Sequence, residues 1–257
     1  MIAKPRNGSV PMIRLRHLTL SYGGAEVVRS VNLDIARGET KVILGPSGVG
    51  KSTILKAILG LIKPRNGELF VAGEEISRLS ERELVRTRFK MAMVFQQSAL
   101  FDSMTVGENV SYRLREMELA GAEAIRARIH EVLKFVGLHH ATELRPAELS
   151  GGMKKRVAIA RALAPDPEIF LFDEPTTGLD PVNLYNIEQL ILKLKKNLEK
   201  TILIVTHDVG SAMRLADSIV MLHEGKFIFE GTSEELRKQH DKRVLAFLDP
   251  ASAASLS

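Results

Sequence analysis

The chain has 257 residues, 45% apolar and 26% charged, and no cysteine, which excludes a disulfide scaffold, a thiol nucleophile and thiolate-held zinc or iron–sulfur sites. Its 36 basic and 31 acidic residues leave +5, a bias that permits contact with nucleic acid or anionic lipid heads without demonstrating either. With 5% aromatics and no tryptophan, base-stacking platforms are not expected. Residues 1–12 carry two prolines and no periodicity; they read as a loose leader, too polar at the start for a signal peptide. Strand-like alternation begins at Ile13-Arg-Leu15 and returns at Val31-Asn-Leu33-Asp-Ile35. Residues 41–44 form a short apolar strand that runs into a glycine-rich turn, then a helix to about Ile62 that Pro64 stops. Strands at 68–71 and 91–95 flank a helix over 80–90.

From about 98 to 165 the pattern is helical throughout. Thr105-Val-Gly-Glu108 has the form of a capping box, and Ile125, Ile129, Val132 and Val136 recur at helical spacing before Gly137, a helix-ending residue. Ser150 caps a further helix to Leu163, which Pro165 ends. Strand and helix then alternate: strand 169–172, a helix from Pro181, strand 201–206, a helix after Asp208, and strands 219–222 and 227–229 around a Glu224-Gly225 turn. The apolar runs are strand-sized, far below the ~20 residues of a membrane helix, so a soluble chain suited to a reducing cytosol is expected. The basic runs Lys154-Lys155-Arg156 and Lys193, Lys195, Lys196 read as solvated helix faces. The whole is an α/β domain interrupted by a helical insert.

Between the strand at 41–44 and its following helix lies Gly45-Pro46-Ser47-Gly48-Val49-Gly50-Lys51-Ser52, with Thr53 next. Glycines let backbone N–H groups curl around phosphate oxygens, and the helix N-terminus adds positive partial charge. Lys51 can reach β- and γ-phosphates, and the Ser52 hydroxyl can ligate Mg²⁺. This loop binds a nucleoside triphosphate. The buried strand Ile169-Phe-Leu-Phe172 ends in Asp173 and Glu174, whose side chains leave the strand in opposite directions. Asp173 suits the Mg²⁺ and Glu174 suits a general base facing the attacking water. No Asn-Lys-x-Asp guanine reader is present, and nothing announces the lid and acceptor pocket of a small-molecule kinase.

Leu149-Ser150-Gly151-Gly152-Met153, just before the helix leading to Asp173, completes a motif order that resembles the ATP-binding cassette (ABC) ATPases. The resemblance spans about residues 13–240. It implies a P-loop NTPase core with an antiparallel β portion, an all-helical subdomain inserted at about 98–165, and a C-terminal tail at 241–257. It also implies that two copies sandwich ATP head to tail, so that Ser150, Gly151 and Gly152 contact the γ-phosphate held by the other copy. By the same resemblance Tyr22 stacks on adenine, Gln96 touches Mg²⁺ and the attacking water, Asp180 crosses the dimer interface, and His207 hydrogen-bonds the γ-phosphate. Asp180 is equally a plausible helix cap before Pro181. His139-His140 has no carboxylate partner at metal-ligand spacing.

Most of the family has Gln where Met153 stands. Met153, the stretch 99–106, Leu114-Arg-Glu116 and the tail Phe247-Leu248-Asp249 are similar to ATPases of Mla/Mce-type phospholipid transporters, in which that tail packs on a neighbouring subunit. The resemblance implies a peripheral subunit on the cytoplasmic face of the inner membrane. Its partners would be an integral membrane permease, a second copy of itself, a small regulatory subunit and a lipid-binding Mce-type protein, with no nucleic acid. Other bacterial importers, lipoprotein-release systems and soluble ABC proteins acting on nucleic acid are the competing readings.

Overall fold

The computed structural model describes residues 10–116 and 121–249; residues 1–9 of the expected leader and 250–257 of the expected tail lie outside them. Two sheets organise the chain. The first is antiparallel. Its strands β1 (Ile13–Tyr22) and β2 (Ala25–Ile35) form a hairpin closed by Gly23-Gly24, both at positive φ as a two-residue hairpin turn requires. The sequence suggested two short separate strands here. Register shifts around His17 and Ser30, both at positive φ, break the period-two pattern and hide the continuity.

The second sheet has six strands. β3 (Thr40–Leu44) lies between β8 (Thr201–Thr206) and β9 (Ser218–His223), while β7 (Ile169–Asp173) and β6 (Met91–Val94) continue beyond β8. These five are parallel; β10 (Lys226–Gly231) closes the edge antiparallel to β9, through the expected Glu224-Gly225 turn. Remaining in the first sheet are β4 (Asn66–Val71), paired with β1, and the short β5 (Glu74–Glu75).

Both faces of the parallel sheet are buried, and alternate residues feed different cores. Val42, Leu44, Phe170, Phe172, Ile202 and Ile204 enter one; Ile43, Ile169, Leu171, Leu203 and Val205 enter the other. The second core also takes Ile13, Leu15 and Leu69 of the antiparallel sheet, so α1 (Lys51–Ile58), through Ile54, Leu55 and Ile58, is packed between the two sheets. α2 (Glu81–Phe89) adds Leu84 to it.

The first core is covered by helices. α3 (Val106–Glu116), α4 (Ala122–Phe135) and α5 (Gly151–Leu163) come from the helical stretch, which among the described residues contains no strand. The Thr105–Glu108 capping box forms reciprocally, and Gly137 follows α4 at φ 71°. α6 (Pro181–Leu198), α7 (Val209–Leu215), α8 (Ser233–Arg237) and α9 (Lys242–Leu248) complete the layer. In α9, Val244 is buried and Phe247 and Leu248 rest against this chain's own core. None of the described helices is long and apolar enough to cross a membrane.

This arrangement brings scattered segments to one edge. The carboxyl ends of β3, β7 and β8 lead directly into Gly45, Glu174 and His207, and Gln96 follows two residues after β6. In open parallel sheets the crevice outside the carboxyl ends is where ligands bind. Phe170, fully buried with its ring 6.0 Å from that of Phe172, anchors the sheet to the helical layer. Phe170→Ala should cost about 3–5 kcal/mol in urea unfolding, whereas Val182→Ala on the exposed start of α6 should stay within about 0.5 kcal/mol.

Candidate active site

The loop between β3 and α1 cannot carry side chains at its key turns. Gly50 sits at φ 109°, and a Cβ there would lie 2.9 Å from the Val27 carbonyl; a Cβ on Gly45 would lie 2.3 Å from the Leu222 carbonyl. Close backbone approach from β2 and β9 therefore fixes the loop's path. Gly50 precedes α1 without offering a side-chain acceptor to its first N–H groups, which leaves donors at a helix N-terminus. Lys51 folds back into this loop. Its Nζ donates to the carbonyls of Gly45 (2.8 Å) and Pro46 (2.9 Å) and lies 3.4 Å from Glu174 Oε1. Burial lowers its pKa, and the charges of Glu174 and Asp173 act against that.

Asp173 and Glu174 turn to different partners, although the strand ends at Asp173 and the left-handed backbone of Glu174, not strand alternation, directs its side chain. Asp173 Oδ1 accepts from Ser52 Oγ at 2.8 Å, placing a hydroxyl and a carboxylate oxygen together beside the loop. Burial, the largest influence, raises the Asp173 pKa, helped by the charge of Glu174 and opposed by the Ser52 hydrogen bond and by Lys51 and Lys56. Two adjacent hard oxygen donors suit a Mg²⁺ ion, whose added charge would relieve that burial.

Glu174 is 7% exposed and held at φ 48°, a left-handed backbone unusual outside glycine. Its N–H donates to Val205 O (3.0 Å). Oε2 accepts from the hydroxyls of Thr206 and Thr177, both at 3.1 Å, and Oε1 lies 2.9 Å from His207 Nδ1. Burial pushes this carboxyl up, but the His207 hydrogen bond and the Lys51 charge outweigh it and hold the pKa below its ordinary value. The carboxylate is therefore ionised at neutral pH and aimed by four neighbours. Thr206 and Thr177 were not singled out from the sequence; each lies beside a motif residue, and nothing local says that its hydroxyl turns toward Glu174.

The other expected residues fall on two surfaces. Tyr22 ends β1, 61% exposed, with Lys56 Nζ 5.6 Å from its ring centre. Pro46, Ser47, Gly48, Val49 and Thr53 belong to the same loop and helix start. Gln96 is exposed beyond β6. Ser150 caps α5, its Oγ accepting from Met153 N at 3.3 Å, and like Gly151 it is exposed. Gly152 packs against Asn183: a Cβ would meet that side chain at 2.2 Å. Asn183 in turn donates to Asp180, which caps α6 by accepting from Val182 N (3.1 Å) and Asn183 N (3.0 Å). Ser150–Gly152 and Asp180 are thus one packed surface. Asp180 serves as the helix cap that its sequence allowed. Among the described residues no cluster of His, Asp and Glu fits a further metal, His139-His140 included.

One expectation fails. The run Lys154-Lys155-Arg156 is not a solvated face: Lys155 is 6% exposed, and its Nζ donates to the backbone carbonyls of Gln96 and Glu174. Its position matched the buried stripe Gly152, Lys155, Ile159, Ala162, a spacing that local charge obscured.

The ABC transporter family model matches residues 28–177. The chain belongs to the ABC transporter family. It is 41% identical over 237 residues to the intermembrane phospholipid transport system ATP-binding protein MlaF of Haemophilus influenzae, covering 92% of this chain and 90% of that protein. It is also 40% identical to the probable ribonucleotide transport ATP-binding protein mkl of Mycobacterium leprae, over 97% of this chain and 73% of mkl. Among solved structures, the dimeric post-hydrolysis state of the ATP-binding cassette MJ0796 bound to ADP and Pi matches with a TM-score of 0.80 and 37% identity, over 86% of this chain and 99% of that one. The antiparallel and parallel sheets with their helical layer are the fold of such cassettes. The chain is an ATPase of this family.

Two substitutions separate binding from chemistry at this site. Glu174→Gln should cut ATP turnover by roughly 10²–10⁴-fold while nucleotide still binds, and Lys51→Ala should weaken nucleotide binding itself. Turnover by Glu174→Gln and retention of a fluorescent ATP analogue by both variants check this; near-normal turnover would move the base elsewhere.

Proposed function

We propose that the chain is the energy-coupling ATPase subunit of a phospholipid transport system. The observation that carries this reading is the identity to MlaF along nearly the whole chain, joined to a strand edge whose charged groups are arranged for triphosphate chemistry. In this reading residues 13–240 are one cassette with its helical subdomain at about 98–165, residues 1–12 are a leader, and 241–257 form a tail. ATP lies on residues 45–53, with Tyr22 against its base; Ser52, Asp173 and Gln96 would hold Mg²⁺, which would neutralise phosphate charge. Lys51 and His207, which now contact Glu174, turn to phosphate oxygens. That releases the Glu174 carboxylate, still aimed by Thr206 and Thr177, to take a proton from water.

Ser150, Gly151, Gly152 and Asp180 lie on their own packed surface and act on nucleotide bound to a second copy, so the working unit is a homodimer. It sits peripherally on the cytoplasmic face of the inner membrane beneath a permease, with a small regulatory subunit and a lipid-binding Mce-type protein as further partners. The permease contact includes Phe101, 41% exposed, its ring 4.7 Å from that of Tyr112 at a 45° tilt and beneath Arg161.

Liposomes containing the chain and its co-purifying membrane proteins test this. They should move labelled phospholipid only with hydrolysable ATP. Phe101→Ala should keep ATP hydrolysis within about twofold while transport falls about tenfold or more, a large loss for an exposed aromatic anchor. Movement of labelled ribonucleotide instead of lipid, or co-purification with a binding protein for another small solute, would overturn the cargo.

A further inference from the structure

The buried lysine of α5 joins parts of the molecule that the nucleotide motifs leave separate. Lys155 Nζ reaches the Gln96 carbonyl on one side and the Glu174 carbonyl, at 3.4 Å, on the other. Six residues later on the same helix, Arg161 donates through Nη1 to Ala99 O (2.6 Å) and through Nη2 to Ser98 O (2.9 Å). Three of the four residues so gripped are strained: Ser98 and Ala99 sit at φ 62° and 48°, and Glu174 at 48°. Left-handed conformations in non-glycine residues persist only where surrounding contacts hold them. At Ser98 and Ala99 the side-chain donors come from α5, and at Glu174 the same helix adds Lys155 to the contacts from β8 and the loop; the first residue of α5 follows Ser150, the cap expected to meet nucleotide on a second copy.

The chemistry of the contact is also specific. An ammonium group has three donors and no acceptor, and its charge-assisted bonds to carbonyls are stronger than neutral ones. Burial works against the charge on Lys155, whereas the nearby Asp173 and Glu174 favour it. A solvated helix face would need none of this. An apolar side chain of similar length would fill the same space, remove the donor from the Gln96 carbonyl and leave the Glu174 carbonyl only the Thr177 N–H at 3.4 Å.

We propose that Lys155 is a positioning residue that couples the seating of α5 to catalysis, by fixing the backbones of Gln96 and Glu174 to the helix that presents Ser150. The inference rests on Glu174 as the base, as argued above. A displacement of α5 moves the Glu174 carbonyl with it, so the carboxylate is correctly aimed only when Ser150 is correctly presented. Lys155 touches neither nucleotide nor water in this account; it acts through Glu174 and Gln96.

Steady-state hydrolysis and nucleotide binding by the purified full chain test the coupling. Lys155→Met should lower kcat by about 10- to 100-fold, the effect of a misplaced catalytic group, with KM for ATP and Kd for a fluorescent analogue within about threefold of the parent. Lys155→Arg, whose guanidinium can serve both carbonyls, should recover most of the kcat. Lys154→Met, the adjacent loss of charge, should leave kcat within about twofold. Unchanged kcat in Lys155→Met overturns the proposal, as does a common fall of kcat, nucleotide affinity and thermal midpoint that Arg does not rescue. If Lys155→Met does not fold, Lys155→Gln replaces it, and parental kcat in that variant overturns the proposal equally. Because Glu174→Gln is measured separately, normal turnover there marks failure of the base assignment rather than of the coupling.

Discussion

A lysine and a glutamate of opposite charge, both nearly closed off from water, meet at the ends of β3 and β7, and the loop and its flanking segments depend on that pair. Removing two charges from water costs several kcal/mol each, and their attraction offsets this only when further hydrogen bonds complete both groups. The chain supplies them from several segments: loop carbonyls for Lys51; Thr206, Thr177 and His207 for Glu174. A ligand rich in phosphate charge can take over Lys51 and His207 without any new desolvation of the protein. The cluster is stable as it stands and remains open to exchange.

Such a cluster needs a platform that does not yield. The parallel sheet provides it because both faces are buried: alternate residues of each strand enter different cores, so the strand ends cannot shift without disturbing both. α1 is held between two sheets and fixes the loop from one side, while α5 fixes Gln96 and Glu174 from the other. Gly152 against Asn183, and Asn183 against Asp180, tie the start of α5 to the start of α6. One chain therefore presents a phosphate-binding edge and a separate small-residue turn, each built to fixed geometry.

Much of this was legible in the sequence where the signal is local. The loop, the Ser150 and Asp180 caps, the helix after Asp208 and the Thr105 capping box depend on residues a few positions apart, and each takes the conformation its spacing implies, whereas Glu174 leaves the strand at φ 48°. The first hairpin was hidden because its register slips at His17 and Ser30. Lys155 was hidden because a basic triplet reads as a wet surface, although its place on the Gly152–Ile159 stripe pointed inward. The hydroxyl of Thr206 finds Glu174 across 32 positions of chain, a pairing that only the adjacency of β7 and β8 creates. Local rules specify which groups exist; strand order decides which of them meet.

In the proposed homodimer, Ser150 of one copy completes the site built around Lys51 and Glu174 of the other. Mixed dimers of Ser150→Arg and Lys51→Ala chains measure it directly, because each mixture contains one site with both halves intact. Neither variant alone should hydrolyse ATP at an appreciable rate, and the mixture should recover hydrolysis in proportion to the mixed dimers formed. An inactive mixture in which mixed dimers are shown to form would contradict the account.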